Sequence, residues 1–342
     1  VESAYGAVRG VNGGFYRYSP QRQRLERTVQ TNIPNPWGVA FDEWGQDFFL
    51  ITSGTDMHWM LPVEVNAKYG VSTKGTENLI EKDHRVRPTS GLEFVSSRHF
   101  PDEVQGDYIL NNSIGFLGAK QHTIEDDGTG YKSLHRHDLF TSSDPNFRPV
   151  DVEFAPDGSL YVVDWHNQLI GHMQHSARDP LRDHAHGRIY RVTYPSRPLV
   201  KPATVAGASI DHLLENLKLP EYRTRYRSKR ELRSHSAEQV KPAVSQWVNR
   251  LDKSTPDYER LLLEGLWVTW GINDIDTDLL RNLLQANSFK VRAAAVRVLR
   301  YNTRLFSDHV ELLSRAADDE HGRVRLEAII AASWLDNHDG MT

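Results

Sequence analysis

The sequence predicts a multidomain protein: an all-β segment of the propeller type, followed by an α-helical array. Two observations predict this. Short strands of alternating polarity follow three prolines in the first part, and period-2 alternation is typical of β-structure. In the last part, segments of helical periodicity recur every 33 or 34 residues, which is typical of a solenoid of helix pairs. We therefore expect one domain over residues 1–200 and another over residues 201–342.

The proline-led strands define the repeat of the all-β part. In the third copy, Val150, Val152 and Phe154 alternate with acidic residues, and the turn 156–158 then reverses the chain. The three prolines lie 52 and 61 residues apart, which favours four-stranded blades with loop insertions over a sandwich. The three copies are residues 36–41, 88–94 and 149–154.

Helical periodicity governs the last part of the chain. Its clearest copies, 287–299 and 320–332, contain a Val-Arg pair followed by an alanine-rich apolar stripe. They resemble short HEAT repeats, which implies a rigid spacer or a docking surface for a protein partner. The four aligned segments are Arg225–Leu232, Glu259–Leu266, Arg292–Leu299 and Arg325–Ala332.

The composition excludes several classes of function. Of the 342 residues, 39% are hydrophobic and 25% are charged, as in folded globular proteins. The net charge of −4 gives no basic field for nucleic acid, and no apolar run is long enough for a transmembrane segment. The absence of cysteine excludes disulfides, thiolate metal sites and a covalently attached c-type haem within these residues.

The two ends indicate a fragment of a longer protein. The chain starts at Val1 rather than at a methionine, and it shows no signal peptide. At roughly 40–50 residues per blade, the all-β part holds only about three and a half blades, too few to close a ring. A complete, processed chain is the alternative.

The densest polar stretch, residues 164–188, joins two predicted strands and holds five of the 16 histidines. Long loops in compact domains are usually functional or disordered. Because histidine and aspartate transfer protons, Asp164, His166 and His172 are candidate catalytic residues. His84 is a further candidate, since it could line the mouth of a propeller, and a solvated charge run is the alternative there.

Three interpretations of this polar stretch stay open. Imidazole and carboxylate suit zinc, iron or copper, and His172 with His175 could share an ion for metal-dependent hydrolysis. Alternatively, its arginines could pair with anionic groups of a substrate or cofactor. The third interpretation is a structural loop, held by neighbouring arginine–aspartate pairs at 178–179 and 182–183.

Cofactor and metal candidates lie close to the proline-led strands. Arg148 enters the third strand, where it could clamp an anion or quinone if buried, or be a strand-edge charge if exposed. Arg87 precedes the second strand in the same way. A hard cation could use Asp56 with the backbone carbonyls of Ser53 and Gly54, for which an ordinary Asx turn is the alternative.

Motifs of the all-β part resemble a known family. Residues 35–41, 88–91, 100–101, 106–108 and 148–164 are similar to the glucose/sorbosone dehydrogenase type of six-bladed propeller. The motifs at 12–17, 35–38, 147–151, 164–167 and 187–191, taken in order, resemble more closely the proteins with a "membrane-bound dehydrogenase domain", in which the propeller precedes HEAT repeats and a c-type haem domain. The resemblance covers essentially the whole chain.

The resemblance implies an oxidoreductase that oxidises an alcohol or sugar with a PQQ-like quinone and calcium. Electrons would pass to a haem domain outside this chain, in the periplasm or another extracytoplasmic space. Asn35 and Arg148 match cofactor contacts of the family, Arg87 and Asp151 are further cofactor candidates, and the turn 53–55 falls where backbone carbonyls hold calcium.

This chain also departs from the family's pattern. The family's catalytic histidine would lie before the first residue, so the resemblance implies that this chain alone is inactive. Pro34, Trp37, Ile114 and Val150 stand where the family has polar cofactor contacts. A non-catalytic scaffold that binds a glycan or a protein partner is the alternative function.

Overall fold

The computed structural model describes residues 2–3, 6–10, 13–20, 22–29, 31–66, 68, 70–71, 73–169 and 178–335. Two short hairpins open the chain, β1 (Glu2–Ser3) with β2 (Gly6–Ala7) and β3 (Tyr16–Ser19) with β4 (Arg24–Arg27). Three larger antiparallel sheets follow, and the predicted β-structure of this part is confirmed.

Each larger sheet is a meander of consecutive strands. The first contains β5 (Pro36–Phe41), β6 (Asp47–Ile51) and β7 (Asp56–Trp59). The second contains β8 (Thr89–Phe94), β9 (Tyr108–Asn112), β10 (Gly118–Asp127) and β11 (Gly130–Thr141). The third contains β12 (Pro149–Phe154), β13 (Leu160–Asp164) and β14 (Arg188–Val192). The proline-led segments are therefore the first strands of successive sheets, as in propeller blades, although the described elements form no closed ring and the six-bladed propeller stays a prediction.

The first strands of the three sheets pack side by side, with β8 between β5 and β12. The approach is close at Gly91, where a Cβ atom would lie 2.9 Å from the Cα of Asp151. Each of the three strands also has an irregular register directly after its start. Such bulges redirect side chains at the ends of strands.

Eight helices follow within the described residues. They are α1 (Ile210–Glu215), α2 (Tyr222–Leu232), α3 (Ala237–Asn249), α4 (Tyr258–Gly271), α5 (Thr277–Leu283), α6 (Phe289–Arg300), α7 (His309–Ala317) and α8 (Gly322–Ala332). The four predicted repeat segments lie in α2, α4, α6 and α8, which share one apolar core with the intervening helices. Among the described helices, none has the length and apolar character needed to cross a membrane.

Ion pairs, each with at least one buried side chain, join the helices to the sheets. Arg300 of α6 contacts Glu64, which follows β7, at 2.9 Å, and Arg323 of α8 contacts Asp126 of β10 at 2.8 Å. At the other end, Arg223 of α2 pairs with Glu93 of β8. The helical array therefore packs directly on the sheets.

Candidate functional site

Three of the predicted site residues share one edge of the sheets. Asn35, Arg87 and Arg148 each directly precede the proline at the start of a first strand. Hydrogen bonds between neighbouring sheets show that these starts lie together: Thr89 N–H donates to the Thr52 carbonyl at 3.4 Å, and Ser90 Oγ donates to the Pro149 carbonyl at 2.8 Å. We call this the starting edge.

The first sheet supplies Asn35 and the turn after β6 to the starting edge. Asn35 Nδ2 donates to Ser53 Oγ at 2.6 Å, and both residues are exposed. The side chain of Asp56 folds back onto Gly54: a Cβ atom added to Gly54 would lie 2.0 Å from Asp56 Oδ2. The other carboxylate oxygen, Asp56 Oδ1, accepts a hydrogen bond from Asn78 Nδ2 at 2.6 Å. The carboxylate of Asp56 is therefore already engaged by Asn78 and packed against Gly54 of its own turn.

A metal site of three or more histidine or acidic side chains is absent from the described part of the chain. A cation at the turn 52–55 would depend on backbone oxygens. The carbonyls of Thr52 and Thr55 accept hydrogen bonds from Thr89 N–H and Asn78 Nδ2. The carbonyls of Ser53 and Gly54 thus remain as the candidate ligands.

The two arginines of the starting edge have different surroundings. Arg87 is exposed, and it forms no ion pair within the described ranges. Arg148 is buried, and its two Nη atoms donate to the carbonyls of Phe147 and Gln168 at 2.9 and 3.0 Å. Burial lowers the pKa of Arg148. Arg148 thus clamps the loop after β13, while the guanidinium of Arg87 faces solvent.

Asp164 ends β13 and organises the loop that follows. Its Oδ1 accepts hydrogen bonds from the backbone N–H groups of Arg148 and His166, both at 2.7 Å. Its Oδ2 is buried and has no hydrogen-bond donor within the described structure. His166 has a positive φ of 52°, which is uncommon for a residue other than glycine and marks a backbone held by its surroundings.

The His166 ring lies between two carboxylates. Its Nδ1 is 3.7 Å from Asp164 Oδ2, and its Nε2 is 3.9 Å from Asp183 Oδ2. Asp183 Oδ2 in turn lies 2.8 Å from His186 Nδ1. Sequence reasoning gave Asp183 only a structural role, as a possible partner of Arg182, and named His186 only as one of the histidines of the polar stretch. The sequence pattern that could have indicated them is an aspartate followed within three residues by a histidine, which occurs at Asp164 and His166 and again at Asp183 and His186.

The remaining predicted residues lie elsewhere. His84 stacks on His135 of β11 with ring centroids 3.8 Å apart, and no described contact links it to Asp164 or His166.

Asp151 is exposed on β12, with its Cα against Gly91. His172 and His175 lie outside the described residues. The structure thus brings together Arg148, Asp164 and His166, and it separates His84 from them.

Comparisons with known proteins give two family matches and weak structural likenesses. A family described as a domain of unknown function, DUF7133, matches residues 2–196, and HEAT repeats match residues 277–341. No curated protein matches the chain.

Two solved structures, both described as glucose dehydrogenase, resemble the chain weakly. The first has 18% sequence identity and a TM-score of 0.32, over 48% of this chain and 41% of that one. The second has 20% identity and a TM-score of 0.31, over 48% of this chain and 46% of that one. This chain thus spans less than half of either structure. Because the first family model covers more than half of its residues, this protein belongs to the DUF7133 family, and it carries HEAT repeats towards its C-terminal end.

Proposed function

We propose that this chain is part of an oxidoreductase that oxidises a hydroxyl group of an alcohol or sugar at the starting edge. The observation that carries the proposal is the buried Asp164–His166 pair, whose facing atoms Oδ2 and Nδ1 have no hydrogen-bond partner within the described ranges. Buried polar atoms are normally hydrogen-bonded, so unsatisfied ones at a strand end indicate a site for chemistry.

Oxidation of a hydroxyl group to a carbonyl removes a proton from oxygen and a hydride from carbon. His166 Nε2 is the atom that takes the proton, because imidazole is the side chain suited to proton transfer near neutral pH. Asp164 faces Nδ1, so it orients the ring and stabilises the imidazolium that forms. Arg148 keeps Asp164 in place through its backbone N–H and holds the loop through Gln168.

A quinone-type cofactor would accept the hydride, and the starting edge offers it two exposed polar groups. The guanidinium of Arg87 would balance negative charge on a reduced quinone, and the amide of Asn35 would orient it. The carbonyls of Ser53 and Gly54 would hold a calcium ion. A c-type haem domain beyond these residues and an extracytoplasmic location complete the proposal, and they are supported by the resemblance alone.

The substrate class is supported by aromatic side chains at the starting edge. Trp37 follows the proline of β5, and Trp165 donates its backbone N–H to the Arg148 carbonyl at 3.0 Å. Both indole rings are exposed. Small-molecule sites combine aromatic walls with a few polar groups, which suits a sugar or an aromatic alcohol.

The test is dye-linked oxidation of sugars and alcohols by the full-length protein, supplied with a quinone cofactor and calcium. We expect His166→Gln to lower the rate by about 10²- to 10⁴-fold, the usual contribution of a general base. The matched control is His184→Gln, because His184 is exposed in the same loop and outside the site. An unchanged rate in His166→Gln would exclude the proposed base. No oxidation at all, together with binding of a glycan or protein by the wild type, would favour the scaffold alternative.

A further inference from the structure

We propose that Asp183 and His186 extend the Asp164–His166 pair into a proton relay that ends at the protein surface. The inference rests on the proposed function, since it supplies the exit for the proton that hydroxyl oxidation releases. It assigns a role to two residues that lie outside the predicted catalytic and cofactor-binding residues, one of which, Asp183, faces His166.

The four side chains form a graded path from the interior to solvent. Carboxylate and imidazole alternate along it, with successive separations of 3.7, 3.9 and 2.8 Å. The side chains of Asp164, His166, Asp183 and His186 are 0%, 8%, 27% and 71% exposed. A proton that enters at His166 therefore has a series of acceptors leading outward, in which the last pair is hydrogen-bonded and the His166 ring must move towards Asp183 to make the preceding contact.

Asp183 is built to serve as the middle of this path. Its Oδ1 accepts the backbone N–H groups of Ala185 and His186 at 2.9 and 3.0 Å, which fixes the carboxylate and leaves Oδ2 facing both imidazoles. The hydrogen bond from Ala185, followed by that from the His186 ring, lowers the pKa of Asp183 to about 2. A carboxylate of low pKa releases a proton quickly, so it conducts protons without trapping them.

The proton moves in three steps, and no electrons accompany it. His166 Nε2 takes the hydroxyl proton and, once the carbonyl product has left, turns its N–H towards Asp183 and passes the proton to Asp183 Oδ2 across a shortened gap. Asp183 passes it to His186 Nδ1, and the opposite nitrogen of His186, Nε2, releases a proton to water. The proton on His186 then moves from Nδ1 back to Nε2, which restores the starting tautomer of the ring.

The other charged groups near the path bind other partners and do not interrupt it. Asp144 pairs with Arg188 at 3.2 Å, and the guanidinium of Arg148 is directed to backbone carbonyls. A shared metal ion does not explain the cluster, since the two nitrogens of His166 point in opposite directions and face different carboxylates. Within the described ranges, no group of side chains suited to a metal ion includes these residues.

The test measures proton transfer directly and needs no substrate. In the full-length protein with ¹⁵N-labelled histidine, NMR gives the rate at which the His166 ring proton exchanges with water. We expect Asp183→Asn to slow this exchange about tenfold or more, because the first acceptor is lost. His186→Gln, which keeps the backbone hydrogen bonds to Asp183, should slow it as well.

Asp179→Asn is the matched control, because Asp179 lies in the same loop and its Oδ1 accepts a hydrogen bond from the Leu181 N–H at 2.9 Å, which an asparagine can keep. Equal exchange rates in the wild type, Asp183→Asn and His186→Gln would overturn the relay, even if His166→Gln abolishes oxidation. Slower exchange in both variants, in a protein that oxidises nothing, would support the relay and count against the proposed function.

Discussion

Buried charges occur in two regions of this protein, and they are paired differently. Where the helices pack on the first sheet, Glu64 and Arg300 are 4% and 2% exposed and lie 2.9 Å apart. At the starting edge, Asp164 and His166 are also buried, with 0% and 8% of their side chains exposed, yet their facing atoms are 3.7 Å apart. Close pairing neutralises charge and fixes structure, whereas a buried carboxylate with an unused oxygen has a free-energy cost that a function can explain.

The contact between helices and sheets is built from several such close pairs. Arg297 of α6 contacts both Glu327 of α8 and Gln46 of the first sheet, so one guanidinium links three elements. Trp334 adds a 2.8 Å hydrogen bond from its indole to the Glu64 carbonyl. The array is therefore part of the scaffold that holds the sheets, in addition to any docking role.

The largest predicted effect tests this contact. Arg300→Leu should lower the free energy of unfolding by about 3–5 kcal/mol, since it leaves Glu64 charged and buried without its partner. The double variant Glu64→Leu/Arg300→Leu should recover most of that loss, because it leaves no unpaired charge. Urea denaturation followed by tryptophan fluorescence measures both. A loss below about 1 kcal/mol in the single variant would show that this pair does not stabilise the contact.

The second effect tests how tightly the starting edge is packed. Gly91→Ala should cost about 2–3 kcal/mol, because φ is +64° and the new Cβ would lie 2.9 Å from the Cα of Asp151. Gly128→Ala is the matched control, since φ is +55° there and nothing lies within 4 Å of its Cβ. It should cost about 1 kcal/mol, the conformational part alone. Equal losses measured by thermal unfolding would mean that β8 and β12 can separate freely.

The sequence was informative where a pattern repeats. Period-2 alternation after each proline located β5, β8 and β12, and the 33-residue spacing located the even-numbered helices, because such patterns follow from which face is buried. Contacts between side chains that are far apart in the sequence leave no such pattern. Nothing local shows that His84 stacks on His135, or that Asp183 reaches His166 across a loop.

The third effect concerns Asp42, an acidic group in the contact region that accepts backbone hydrogen bonds but forms no ion pair within the described residues. Burial raises the pKa of Asp42 to about 6, and the hydrogen bond from the Gln46 N–H and the charge of Arg297 oppose this only partly. A raised pKa means that the folded protein binds the proton more tightly than the unfolded chain does. The stability due to this proton is therefore full below about pH 4 and is lost as the pH rises through about 6.

Asp42→Asn should therefore raise the free energy of unfolding by about 1–3 kcal/mol at pH 7.5 and leave it unchanged at pH 3.5. The amide keeps Oδ1, which accepts the N–H groups of Trp44 and Gln46. Asp252→Asn is the control, because Asp252 has a similar turn geometry on the surface and its pKa is lowered, so no gain is expected. A gain of equal size at both pH values would show that ionisation of Asp42 is not the cause.

The smallest predicted change in the free energy of unfolding best distinguishes the starting edge from the contact between helices and sheets. Asp164→Asn keeps Oδ1 and hence both 2.7 Å hydrogen bonds from Arg148 and His166, so the free energy of unfolding should change by less than about 1 kcal/mol. Asp164→Ala removes that acceptor and should cost about 2–3 kcal/mol. The charge of Asp164 would then matter for proton transfer, while its Oδ1 matters for the fold. If denaturation shows equal losses for both variants, the charge itself stabilises the strand end, and Asp164 belongs with Glu64 as a structural group.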